Sequence, residues 1–177
     1  TSQIILCGLQ EYVEGEILDP WRVAAGDPLP DILRSVARIP GSNCRDHPDQ
    51  WMTAARHQIA DFADKIRKMI TDAGVIPDLA GIGNLILTPH GHIKLVDINN
   101  IVDIRLDQQI RLDDKGYPSC DVSVQVLFFL ESRILNRPAR NDDILHRLFM
   151  DPDRQVQVKA MEKAFYVRLA SKRNSIQ

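Results

Sequence analysis

No apolar run in this 177-residue chain approaches the about 20 residues that span a bilayer, so no membrane-crossing helix and no membrane partner are expected. The first residues hold no basic stretch followed by an apolar one; no signal peptide is expected, and the localisation is read as cytoplasmic. Cysteine is sparse: Cys7, Cys44 and Cys120 are far apart and odd in number. They match no zinc spacing and no secreted disulfide framework, which predicts three reduced thiols. Charge of one sign is lacking too. A formal net charge of −2 supplies no field to recruit nucleic acid or an anionic membrane. Internal repeats and low-complexity tracts are absent.

What remains is ordinary material for one domain with a core of its own, at 44% hydrophobic and 26% charged residues. Ile4 to Leu9 reads as a buried strand, running into Gln10-Glu11-Tyr12-Val13-Glu14-Gly15-Glu16. Asp19-Pro20-Trp21 and Asp27-Pro28-Leu29-Pro30 are turn-rich and lead to a helix near Asp31 to Ile39. His47-Pro48 opens a long helix in which Trp51, Ala55, Ile59, Phe62, Ile66, Met69 and Ile70 recur at helical spacing. That spacing turns Arg56, Asp61, Asp64, Lys65 and Lys68 outward, and Gly74 suits the C-terminal cap. Residues 119–131 read as an apolar core helix with Ser119 at its start. Asn141 can cap a helix to about Met150, and Asp151-Pro152-Asp153 starts a last helix to about Lys172. Its broad apolar face holds Val156, Val158, Met161, Ala164, Phe165, Val167 and Leu169.

The stretch IPDLAGIGNLILTPHGHIKLVDINN, residues 76–100, reads as loop, strand, turn, strand, loop. Asn84 to Thr88 and Ile93 to Asp97 are the strand runs; Pro89-His90-Gly91-His92 is turn chemistry. Asp78, Asn84 and Asp97 are thereby expected at one end of a hairpin, beside Gly81 and Gly83. Two carboxylates and a carboxamide suit magnesium, which takes hard oxygen ligands and leaves other positions to water and phosphate.

These residues resemble the catalytic loop and metal-binding hairpin of the protein-kinase-like fold, in its atypical and small-molecule-kinase or pseudokinase branch. The resemblance implies that Asp78 is the catalytic aspartate that orients the acceptor hydroxyl, and that Asn84 and Asp97 hold magnesium. It implies that Glu11, Tyr12 and Val13, in a segment similar to the hinge, meet the adenine of ATP. Asp121, opening the core helix in Asp121-Val122-Ser123, matches the family's structural anchor, whose carboxylate accepts backbone N–H bonds from the catalytic loop. The fold class implied is mainly α with a small β-hairpin (α+β): a kinase-like C-terminal lobe lacking the N-terminal lobe. Residues 1–16 would be the last small-lobe strand and hinge-like segment, and 17–177 the helical large lobe. No Gly-rich phosphate loop precedes it, so the resemblance also implies a small lobe supplied by a longer native chain or a partner, or a minimal relative.

Residues 100–118 correspond in position to an activation segment, and their mixed charge reads as a solvated loop with a short strand pair. No Ser, Thr or Tyr lies between Asp97 and Lys115, which leaves only Tyr117 and Ser119 as hydroxyls at its end. The first functional expectation is ATP- and magnesium-dependent phosphotransfer to an unknown acceptor, or a remnant of that activity. The second is a catalytically inactive, pseudokinase-like binding or scaffolding domain. Four departures from the family pattern favour it: Ile76, Pro77, Asn99, and a spacing of six rather than five from Asp78 to Asn84. A third, a helical interaction domain without ligand, requires that Asp78, Asn84 and Asp97 stay apart.

Overall fold

Proline and glycine mark where most of the elements begin and end. The computed structural model describes residues 12–42, 44–97, 100–139 and 142–174. The strand expected from Ile4 to Leu9, Glu11 of the hinge-like segment, Asn99 and the Asn141 cap lie outside these residues. Strand β1 (Glu16–Ile17) leads into helix α1 (Pro20–Ala25), whose first turn is capped by Asp19 accepting from the Trp21 N–H at 2.9 Å. Helix α2 (Leu29–Val36) has Pro30 in its first turn, and the long helix α3 (Pro48–Ala73) starts on Pro48. Gly74 ends α3 in the left-handed conformation at φ 63°, its N–H bonded to Ile70 O. Strands β2 (Val75–Pro77), β3 (Leu85–Leu87), β4 (Ile93–Leu95) and β5 (Ile101–Asp103) follow. Then come α4 (Ser119–Phe129), a π-helical turn (Leu130–Ile134), α5 (Ile144–Phe149) and α6 (Pro152–Asn174).

The architecture is mixed, with helices dominant and two small antiparallel sheets. One sheet runs β1-β3-β4, with Glu16 opposite Leu87 and Leu85 opposite Leu95. The other joins β2 to β5, with Val75 opposite Asp103 and Pro77 opposite Ile101. The expected hairpin is therefore present, one residue shorter at each end of its first strand and two shorter at the end of its second. Of the strand pair expected within residues 100–118, one strand forms, β5, and its partner is β2, from before the hairpin.

The core is organised on α4, buried at every residue from Ser119 to Phe128. Trp51, Ala55, Ile59, Ile66 and Ile70 of α3 join it, as their spacing required. Arg56 does not simply point to water. It bonds Ile134 O in the π-helical turn and pairs with Asp27.

The last helix departs furthest from expectation. Along α6 only Arg154 and Val158 are buried among the described side chains; Val156 is 69% exposed, and Val167 and Leu169 are exposed as well. The reason is what α6 packs against. Its inner face follows the irregular segment before α4: Tyr117 Oη donates to Glu162 at 2.6 Å, Arg168 donates to Gly116 O at 2.9 Å, and the Tyr117 ring packs on Phe165 with the planes tilted by 60°. Burial and Glu162 push the Tyr117 hydroxyl above its ordinary range. Hydrophobic spacing alone does not distinguish a helix lying on a polar segment from one sunk in a core.

Arg154 and Asp121 form an enclosed ion pair, Nε to Oδ1 at 2.6 Å, with side chains 4% and 2% exposed. Arg154 also donates to Asp107 O at 2.8 Å and Gln109 O at 3.5 Å. Burial pushes the Asp121 carboxyl up from its ordinary value, and the guanidinium opposes that rise. Removing one partner strands the other charge. Arg154→Leu is expected to cost about 3–5 kcal/mol by denaturant unfolding at pH 7. A carboxyl whose folded pKa lies above its unfolded one loses stability as pH rises, so this deficit should shrink at pH 5 relative to the native chain. Burial likewise pushes the Cys120 thiol up to about 12. Cys120 should therefore resist alkylation at pH 8 in the folded chain and react after denaturation.

Candidate functional site

The β2–β5 ladder places Asp78. Asp78 follows Pro77, the last residue of β2, and donates its N–H to Asn100 O at 2.9 Å, extending the pairing by one rung. The chain then turns back on the aspartate itself. Asp78 Oδ1 accepts from the Ala80 N–H at 2.9 Å and the Gly81 N–H at 3.2 Å. This is local Asx-turn chemistry, which a short carboxylate supports without a partner from elsewhere.

Asn84 closes the loop. Its Nδ2 donates to Asp78 O at 2.9 Å, its N–H donates to Gly81 O at 3.0 Å, and the residue is buried. The carboxamide nitrogen is thus held by the loop, while its oxygen is the atom suited to a cation. Asn84 O accepts from the Val96 N–H at 2.9 Å, which seats the start of β3 beside the residue preceding Asp97. Asp97 is solvent-exposed. Among the described residues, no three His, Cys, Asp or Glu side chains gather as a metal cage. Of the three residues expected to converge, Asn84 bonds the backbone of Asp78 and of the residue preceding Asp97.

The hinge-like segment contributes less. Tyr12 is 86% exposed and Val13 half-buried, ahead of β1. Asp121 is buried, as an anchor requires, but its hydrogen bonds go to Arg154. The N–H of Leu79, in the loop, instead finds Ser123 Oγ at 3.1 Å, two residues further along α4. Ser123 and Asn100 were not legible as site residues: a serine in a buried helix and an asparagine after a hairpin carry no pattern of their own. Beside the loop, Ala80 packs with Val122 and Val158, against Trp21, Ile110 and Tyr117. Ile82, at the loop's tip, stands 68% exposed.

Compared with family models, curated proteins and solved structures, the chain finds no match in any of the three.

Gly81 lies against the Asn84 side chain: a Cβ there would sit 2.5 Å from Nδ2 and 2.7 Å from Cγ. Gly81→Ala is expected to expel the carboxamide from its bond to Asp78 O and to lower stability by about 1–3 kcal/mol, read by denaturant unfolding.

Proposed function

We propose that the chain is the helical lobe of a kinase-like domain that binds ATP with magnesium and transfers, or descends from proteins that transferred, a phosphoryl group. The observation that carries this reading is the bonding around Asn84. Its side chain bonds the backbone of Asp78 and its own carbonyl accepts from the residue before Asp97, which supports a common site for three residues spread over positions 78 to 97. The donor types suit the metal: the Asn84 carboxamide oxygen and the exposed Asp97 carboxylate are hard oxygens, and magnesium takes its other positions from water and phosphate. Bound magnesium would neutralise charge developing on the phosphates.

The chain's own residues would do the rest. Asn84 and Asp97 would bind. Asp78, with Oδ1 fixed by the loop, would present Oδ2 to the acceptor hydroxyl and take its proton. Tyr12 and Val13, with Glu11 before them, would face the base. Work of this kind is mostly positioning and electrostatics.

One observation favours the second reading, a nucleotide-binding scaffold without turnover. From Asp78 to Asn84 the loop carries no cationic side chain, only Leu79, Ala80, Gly81, Ile82 and Gly83 between its polar ends. Charge on a transferred group would then fall to the metal alone.

Both readings require a magnesium-dependent nucleotide site. In a thermal-shift titration, ATP with magnesium at about 100 times its dissociation constant should stabilise the chain by about 2.7 kcal/mol. The shift should vanish without magnesium and in Asp97→Asn, whose unliganded melting temperature should match the native chain. An identical shift in Asp97→Asn removes Asp97 from the site. No shift in the native chain removes the nucleotide reading altogether.

A further inference from the structure

We propose that Asn100 is a positioning residue for Asp78, an assignment that rests on the phosphotransfer reading above. The two residues touch twice. Asn100 O accepts the Asp78 N–H at 2.9 Å, and Asn100 Nδ2 donates to Asp78 Oδ2 at 3.4 Å. The first contact fixes where the aspartate's backbone stands. The second acts on the torsion that turns its carboxylate.

The two oxygens of Asp78 are consequently unlike. Oδ1 takes two loop N–H groups at 2.9 and 3.2 Å and is committed to the turn. Oδ2 meets the Asn100 amide at the long end of hydrogen-bond range, which steers it and leaves its lone pairs for an acceptor. An uncharged donor is required for this. A carboxylate at position 100 would offer Oδ2 no donor and would set like charges side by side. An aliphatic side chain would leave Oδ2 free to swing.

Asn100 also lies three residues beyond Asp97, at the entrance to β5. Asp97 would thus supply a carboxylate to the metal, and Asn100, three positions on, the group that aims Asp78. Pairing of β5 with β2 holds Asn100 rigidly against the strand that delivers Asp78. Sites built on paired strands keep their geometry better than sites on loops alone.

The test uses the whole chain with magnesium and ATP, water as the acceptor and phosphate release as the readout, beside the thermal-shift titration. Asn100→Ala should lower kcat by about 10- to 100-fold, the cost of a misplaced catalytic group, with KM and the nucleotide-induced thermal shift unchanged. Asn100→Asp, which offers Oδ2 no donor, should lower kcat to a similar extent with KM and the thermal shift again unchanged. A structural role alone would not lower kcat while leaving KM and the thermal shift unmoved. Native kcat in either variant overturns the assignment. So does a parallel loss of kcat, KM and melting temperature in both variants, which makes Asn100 a fold residue only. A native chain that shifts with nucleotide but releases no phosphate overturns the phosphotransfer reading, and Asn100's role with it. The native chain's own turnover thus separates the two failures.

Discussion

A helix buried on almost every side needs partners inside the protein for the polar groups it carries. Helix α4 carries several, since Ser119, Asp121, Ser123 and Gln125 are all buried, and of these Gln125 leaves its Nε2 without a partner. Their needs place much of the molecule. Asp121 takes Arg154 and so docks the start of α6. Ser123 takes the Leu79 N–H and so holds the loop that follows Asp78. Just beyond, Glu131 accepts two bonds from Arg67, at 2.5 and 2.8 Å, tying the π-helical turn to α3. Arg67 also meets Asp143, which caps α5. The apolar part of the core supplies most of the driving force. These few polar contacts choose which arrangement of helices uses it.

The candidate site follows from this arrangement more than from its own loop. Asp78 is held from below by α4 through Leu79, from the side by β5 through Asn100, and from within by its own Asx turn. Asn84 is locked between that loop and β4's end. Three independent restraints on one short segment explain how a stretch with two glycines keeps a defined shape, since each glycine there adds freedom that contacts must remove. They also make the loop's geometry sensitive to α4 and to the start of β5, elements that supply none of Asp78, Asn84 and Asp97.

Much of the fold was legible. Pro48 and Gly74 bracket α3, and its periodic Trp51, Ala55, Ile59, Ile66 and Ile70 are core. The apolar run after Ser119 is the central helix, and the hairpin around Gly91 has that glycine at φ 77°. What could not be read was which polar residues meet over long separations. Arg154 looks like any cation in a helix's first turn, yet it is the group that balances Asp121. Arg56 is outward as read, but its partners were not legible for the same reason: a long side chain can lie along the surface to a carbonyl 78 residues away. The apolar spacing of α6 was real, but its neighbour is a polar irregular segment, so much of that face remains in water. At the site, Asp78, Asn84 and Asp97 were chosen by pattern. Asn100 and Ser123 became visible only when the chain was folded.

The separation of Asp121 from Arg154 by 33 residues also bears on how the chain is made. On the ribosome, α4 emerges well before α6, and domains take shape as their parts appear. Until Arg154 arrives, enclosing α4 means enclosing a lone carboxylate, which is strongly unfavourable. The central helix therefore has a physical reason to stay loosely packed during synthesis. Its full burial would then wait for α6, and a nascent chain stalled before residue 154 would expose apolar surface to chaperones or to other chains.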